Sequence, residues 1–193
     1  LDVNAIERGG VNFTLTTVDI VPIVQRTVDN YAAAANEKRI ALQYQSVIQS
    51  CVGIADEQAI TQVLDNLISN AVKYSPCGKN VFVRVRAHSS LAIGHRSGNE
   101  PQAKIPMTND QITNDKFVRV EVQDEGPGIS EEDMKKLFGK FARLSARPTG
   151  GEHSTGLGLS IVKKMVEAMN GRVWCESELG KGATFIVELP RTS

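Results

Sequence analysis

Asn66, Asn70 and Lys73 recur at helical spacing, and their side chains carry the most readable chemistry in the chain. Between Ile60 and Ser75, a turn of about 100° per residue puts Ile60, Val63, Leu64, Leu67, Ile68 and Ala71 on one broad arc. Gln62, Asn66, Asn70 and Lys73 fall on the other side, with Tyr74 at the boundary. One face can bury in a core while the other presents two carboxamides and an ammonium in a row. An amide oxygen suits a hard cation such as Mg²⁺, and a lysine suits a phosphate. A nucleotide brought to this stripe would use both.

Further features sit downstream in an order that fits such a ligand. Asp124 ends a strand-like run and begins Asp124-Glu125-Gly126-Pro127-Gly128-Ile129. Its carboxylate can accept a hydrogen bond, and the two glycines permit a sharp turn and close backbone approach. Gly156-Leu157-Gly158-Leu159 opens an amphipathic helix with Ile161, Val162, Met165, Val166 and Met169 on its apolar face. Bare N–H groups at such a start can hold phosphates, although taken alone the glycine pair reads more often as only a turn. Gly180-Lys181-Gly182 makes a tight turn before the last strand, Thr184 to Leu189.

These residues need elements to place them. Leu1 to Gly10 reads as the tail of a helix, and Val11 to Thr17 alternates as a strand with Val11, Phe13 and Leu15 on one side. Asp19 caps a helix with Pro22 in its first turn, running to about Asn36. Ile40, Leu42 and Tyr44 mark a strand, and Val52 and Ile54 another. Asp56 caps the Asn-bearing helix, which Ser75-Pro76 ends. Val81, Val83 and Val85 mark a strand, and Phe117 to Val122 a second. Between them, His88 to Asp115 has little periodicity and reads as an insertion of mobile composition. Ser130 caps a short helix, with Asp133 completing an approximate capping box. Arg143 to Ser154 is polar, Asn170-Gly171 stops the following helix, and Arg172 to Ser177 is a strand. The expectation is an α+β fold: a two-layer sandwich with one mixed, mostly antiparallel sheet of about five strands and helices packed on one face.

Composition excludes several classes. Lys plus Arg and Asp plus Glu both number 22 in 193 residues, so no overall field draws nucleic acid or anionic lipid. Neither a nucleic-acid partner nor direct membrane contact is expected, since no apolar run is long enough to span a bilayer. Cys51, Cys77 and Cys175 show no ligand spacing and fit reduced thiols in a cytoplasmic setting. Leu1 opens mid-pattern without a starting Met, as an excised piece of a longer chain would.

Taken together, the motifs resemble the ATP-binding (Bergerat-type, GHKL) domain shared by sensor histidine kinases, gyrase, Hsp90 and MutL. Leu64-x-Asn66-Leu67-x-x-Asn70-Ala71-x-Lys73-Tyr74-Ser75 is similar to the N box, and Asp124-x-Gly126-x-Gly128 to the G1 box. Phe138-x-x-Phe141-x-Arg143 is similar to the F box, Thr155-Gly156-Leu157-Gly158-Leu159 to the G2 box, and Gly180-x-Gly182-x-Thr184-Phe185 to the G3 box. The match covers nearly the whole chain outside the insertion, residues 88–115.

The resemblance implies ATP and Mg²⁺ as cofactors. Asp124 would receive the adenine amine, Asn70 with Asn66 the metal, and Lys73 and Arg143 the phosphates, with Lys140 and Arg147 as weaker candidates. Tyr74, Gly126, Gly128, Ile129, Phe141, Thr155, Gly156, Leu157, Gly158, Leu159 and Thr184 would complete the ATP site. Phe138 and Phe141 read chiefly as packing residues, and Tyr74 equally as core or ribose contact. Residues 142–155 would form an ATP lid, residues 11–193 the catalytic domain, and residues 1–10 the end of a preceding dimerisation helix.

The N box also separates branches. The gyrase, Hsp90 and MutL branch keeps a water-activating glutamate one turn before the metal-binding Asn; here that position is Asn66, which cannot act as a base. The pattern is closest to histidine kinases. Their acceptor histidine sits in an H box, and His88, His95 and His153 lie outside any such pattern. The implied partners are therefore a dimerisation and phosphoacceptor domain of the same parent protein and a response regulator receiver domain. A degenerate nucleotide-binding module and an anti-sigma-type serine kinase are the alternative readings.

Overall fold

β-branched residues at every second position build the centre of the molecule. The structure, a computed structural model, describes residues 12–46, 48–88, 116–140, 142, 144–145, 148–149 and 156–192. The strands are β1 (Thr16–Asp19), β2 (Ala41–Ser46), β3 (Val52–Ala55), β4 (Asn80–His88), β5 (Phe117–Asp124), β6 (Arg172–Ser177) and β7 (Ala183–Pro190). The helices are α1 (Ile20–Glu37), α2 (Glu57–Tyr74), α3 (Glu131–Lys136) and α4 (Gly158–Ala168). Five strands form one sheet in the order β2-β4-β5-β7-β6, with β2 parallel to β4 and every other pair antiparallel. This is the mixed, mostly antiparallel sheet the sequence predicts.

Val81, Val83 and Val85 of β4, Val118, Val120 and Val122 of β5, and Phe185, Val187 and Leu189 of β7 are all buried. They form one core with Val24, Ile60, Leu64, Leu67, Val162 and Met165 from the helices. α2 packs between α1 and α4. The other face of the sheet covers itself. Glu188, 2% exposed, receives Arg119 at 2.6 Å and Arg172 at 3.1 Å. Arg119 also stacks over Trp174, Arg172 over Phe117 and Arg84 over Phe82.

Local chemistry sets the helix ends. Asp19 caps α1 by accepting from the Val21 N–H. Asp56 caps α2 through Ala59 and uses its second oxygen for the Thr14 N–H, tying the β1 approach to α2. Ser75, with extended backbone before Pro76, closes α2.

Three expectations change. The first strand runs Thr16–Asp19 instead of Val11 to Thr17, because its partner β3 supplies a ladder only from Val52 to Ala55. Leu15 consequently lies outside the strand and is 36% exposed. β4 continues through His88, which pairs with Phe117, so the expected insertion loses its first residue to the sheet. Ser130 does cap α3 through the Asp133 N–H, but the Asp133 carboxylate does not close a capping box; it is taken by Ser145 and Lys136. The expected preceding helix, residues 1–10, and residues 89–115 of the insertion lie outside the described residues. Among the described residues, no helix is long and apolar enough to cross a membrane.

Candidate functional site

α2 lies at the centre of the site. Its apolar face is fully buried, and its polar stripe is half-buried against the segments that follow in sequence. The Asn70 Nδ2 donates to Asn66 Oδ1 at 3.0 Å, so the two carboxamides form one unit. Gly158 sits directly against it: a Cβ there would lie 2.5 Å from Asn66 Nδ2.

At the other end of α2, Gly126 lies against the Tyr74 carbonyl, 3.1 Å from where its Cβ would be. The two contacts are eight helical residues apart, about 12 Å at the rise of an α-helix. Asn70 and Lys73 fall between them. One helix thus meets a glycine turn at one end and a glycine-rich helix start at the other.

Asp124 is 6% exposed at the end of β5. Its Oδ1 accepts from the N–H of Gly126 at 2.8 Å and of Ala183 at 3.3 Å, while Oδ2 makes neither bond. Burial raises its carboxyl above the ordinary aspartate range, and the two N–H donors only partly offset this. Its backbone is fixed from the β6–β7 turn, where a Cβ on Gly182 (φ +83°) would fall 2.0 Å from the Asp124 carbonyl oxygen. Gly128 (φ +71°) meets the same turn, its Cβ position 2.1 Å from the Glu178 carbonyl oxygen. Gly180 donates to the Pro127 carbonyl at 2.7 Å. The Ser177 hydroxyl accepts from Ile129 at 2.9 Å and donates to Gly182 at 2.6 Å. Glu125 accepts from both the backbone and the side chain of Asn80, and these bonds lower its carboxyl. The turn around Gly180 and Gly182 therefore holds the Asp124 loop by backbone contact.

α4 begins at Gly158 after Gly156 (φ +70°), and Leu157 at its cap position makes no side-chain cap bond. The first-turn N–H groups therefore carry no side-chain cap, as an anion site requires. Gln62, Asn66, Leu157, Gly158, Ile161, Val162 and Met165 line a cleft of about 340 Å³ between α2 and α4.

Two described residues of the expected lid, Ser145 and Thr149, are anchored. Ser145 gives both its N–H, at 2.8 Å, and its hydroxyl to buried Asp133. Those two bonds, then the Lys136 ammonium, hold the Asp133 carboxyl down at about 2. Thr149 donates its N–H to the Lys73 carbonyl at 3.1 Å.

Of the residues singled out by sequence, Asn66, Asn70 and Gly158 meet at one end of the α2 stripe, and Tyr74, Gly126 and Asp124 at the other, with Lys73 on the same stripe; Gly128 meets the β6–β7 turn, and Gly156 precedes α4. Ile129, Leu157 and Leu159 pack against the core at its margin, as does Phe138. Thr184 does not join them. It pairs with Gln123 on the face of the sheet turned from the helices, and Ala183 takes the inward position beside Asp124. Counting back by twos from Leu189 and Phe185 would have shown this. Phe141, Arg143, Arg147, His153 and Thr155 lie outside the described residues. Sequence reading missed Ser177, Glu125, Lys38 and Thr149, whose roles depend on partners far away in the chain. Buried Cys175, its thiol pushed up to about 12 by burial and then by Asp124, stays protonated and inert.

A helix-backed mixed sheet with glycine turns converging on one Asn-bearing helix is the Bergerat-type ATP-binding architecture. Residues 55–193 match the family described as histidine kinase-, DNA gyrase B-, and HSP90-like ATPase. The chain is 35% identical to the sensor protein EvgS of Escherichia coli K12 over 98% of its length, and 38% identical to the sensor histidine kinase WalK of Bacillus subtilis over 70%. It spans 14% and 18% of those proteins, respectively. Full-length ShkA in complex with AMPPNP superposes with a TM-score of 0.72 at 25% identity, covering 99% of this chain and 34% of that one. The mycobacterial sensor histidine kinase MprB gives 0.68 at 20% identity, covering 91% of this chain and 98% of that one. The chain belongs to this family, as an ATP-binding catalytic domain of the sensor histidine kinase type.

Proposed function

We propose that the chain binds Mg-ATP along α2 and passes the γ-phosphoryl to a histidine on a dimerisation and phosphoacceptor domain of the same parent protein. Onward transfer goes to an aspartate of a response regulator receiver domain. The observation that carries this reading is the meeting of Gly126 and Gly158 with opposite ends of one polar stripe. Asp124 Oδ2 accepts from the adenine amine at the Tyr74 end. Lys73 and the first N–H groups of α4 face the phosphates. Asn70 Oδ1, the amide oxygen not spent on Asn66, fits Mg²⁺, with Asn66 beside it. Mg²⁺ held by Asn70, with Asn66 beside it, would supply charge to offset the phosphates.

Phosphoryl transfer asks the protein mainly for position and charge. Asn66 supports transfer over hydrolysis, since an amide bonded to Asn70 and packed on Gly158 cannot take a proton from water. Titrating the chain with ATP, with and without Mg²⁺, tests the site. ATP binding that Mg²⁺ strengthens, with the gain lost in Asn70→Ala, is expected; no binding, or a gain that survives the substitution, contradicts it.

A further inference from the structure

Gln62 stands on the polar stripe of α2 one turn before Asn66, on the side away from Tyr74. At the rise of an α-helix this is about 6 Å beyond the contact between Asn66 and Gly158. The cleft between α2 and α4 continues past that contact, lined by Gln62, Ile161, Val162 and Met165. Ile161, Val162 and Met165 are buried, so the floor of the cleft is apolar. The Gln62 carboxamide above it is half-buried and, among the described residues, makes no hydrogen bond. A carboxamide offers two donor hydrogens and an acceptor oxygen. Over an apolar floor, it suits a partner that brings a polar group together with apolar surface.

We propose that Gln62 is a positioning residue for phosphoryl transfer, one that holds the helix bringing the acceptor histidine to the phosphate end of the stripe. The proposal rests on the nucleotide reading above. With adenine at the Tyr74 end and the phosphates toward Asn66 and Gly158, in-line transfer brings the acceptor from the side opposite the leaving ADP. That side holds the Gln62 cleft. The lone pair of the acceptor nitrogen forms the N–P bond as the P–O bond to ADP breaks. ADP keeps that electron pair, and the imidazole gives up its N–H proton to water. Side chains one turn apart on a helix lie about 5–6 Å from each other, the same interval as Gln62 and Asn66. A helix laid along α2, with its histidine at the phosphate beside Asn66, therefore brings a polar side chain one turn away to Gln62 and an apolar neighbour onto Ile161. Gln62 touches the partner and not the reacting atoms.

The test uses Gln62→Ala and Gln62→Met with the dimerisation fragment of the parent protein. Each variant is titrated with ATP. Labelling of the fragment by γ-labelled ATP is then followed at saturating nucleotide over a range of fragment concentrations. Loss of one hydrogen bond to the partner should raise the KM for the fragment about tenfold in both variants. ATP affinity should stay at the parent value. A fragment KM equal to the parent's in either variant overturns the proposal. So does an ATP affinity that falls in proportion with labelling, which would place Gln62 in the nucleotide site or in the fold. Gln62→Met keeps the length and apolar body of the side chain, so it answers even if Gln62→Ala loses stability. A parent chain that does not bind ATP, or binds it and leaves the fragment unlabelled, overturns the underlying reading, and this one with it, before any variant is made.

Discussion

The Asn66 carboxamide occupies the space where a side chain on Gly158 would begin, with Nδ2 2.5 Å and Oδ1 2.9 Å from that point. The glycine is required by the neighbour, since no unusual φ is involved there. Alanine is the better helix former by about 1 kcal/mol. Gly158→Ala should therefore change the melting temperature little, the helix gain offset by the shift of Asn66, while displacing Asn66 weakens ATP about tenfold or more. A thermal melt beside an ATP titration checks this. Unchanged affinity would mean that Asn66 has room to move without consequence.

Asp124 should show opposed effects on stability and binding. Burial raises its carboxyl, so the folded state holds the proton more tightly than the unfolded state does. The stability contribution is complete below the ordinary aspartate range and is lost as pH rises through the raised value. At neutral pH the ionised group is a net cost. Asp124→Asn keeps an oxygen for Gly126 and Ala183 but turns an amide N–H₂ toward the adenine amine. The expected result is equal or greater stability at pH 7, with adenosine affinity down about tenfold or more. In the parent, adenosine binding should begin to fall at a higher pH than an ordinary aspartate would allow, and titrations across mildly acidic pH follow it.

Gly180 and Gly182 have nearly equal φ angles, 84° and 83°, yet differ in surroundings. A Cβ on Gly180 meets nothing within 4 Å, whereas one on Gly182 would strike the Asp124 backbone. Gly180→Ala should cost only about 1–2 kcal/mol from the left-handed conformation. Gly182→Ala should cost clearly more and reduce adenosine affinity as well, because it displaces Asp124. Paired denaturant melts and adenosine titrations separate the two.

Tyr31 on α1 donates to Asp65 on α2 at 2.8 Å, and burial followed by that bond pushes its hydroxyl up to about 12. The contribution is present below the ordinary value of 10.0 and lost as pH rises from there to about 12. Tyr31→Phe should cost about 1 kcal/mol at neutral pH. The difference between parent and variant in denaturant midpoint should then shrink above pH 10.

What the sequence displays is local. Asp56, the apolar arc through Leu67, and Ser75-Pro76 define α2 from end to end because caps, periodicity and a proline act within a few residues. The valines of β4 and β5 announce a half-buried sheet for the same reason. The strand before α1 was displaced because its extent is set by β3, dozens of residues away. Asp133 followed the capping pattern in sequence, but Ser145 supplies better donors in space. Lys38 looks like an ordinary surface lysine until α2 and Thr149 are brought to it. The contact between Gly182 and Asp124 is equally invisible, although the glycines of both turns hint that backbones approach closely somewhere. Sequence names the site residues that touch ligand-sized space better than those that hold them still.

Under the proposed function, this domain donates a phosphoryl group and does not spend it on water. The direct measurement is incubation of the chain with γ-labelled ATP and the dimerisation fragment of its parent protein. Label is expected on a histidine of that fragment, seen as an acid-labile, alkali-stable phosphoramidate, with little free phosphate released by the chain alone. A chain that binds ATP but leaves the fragment unlabelled, or converts the label to free phosphate, would contradict it.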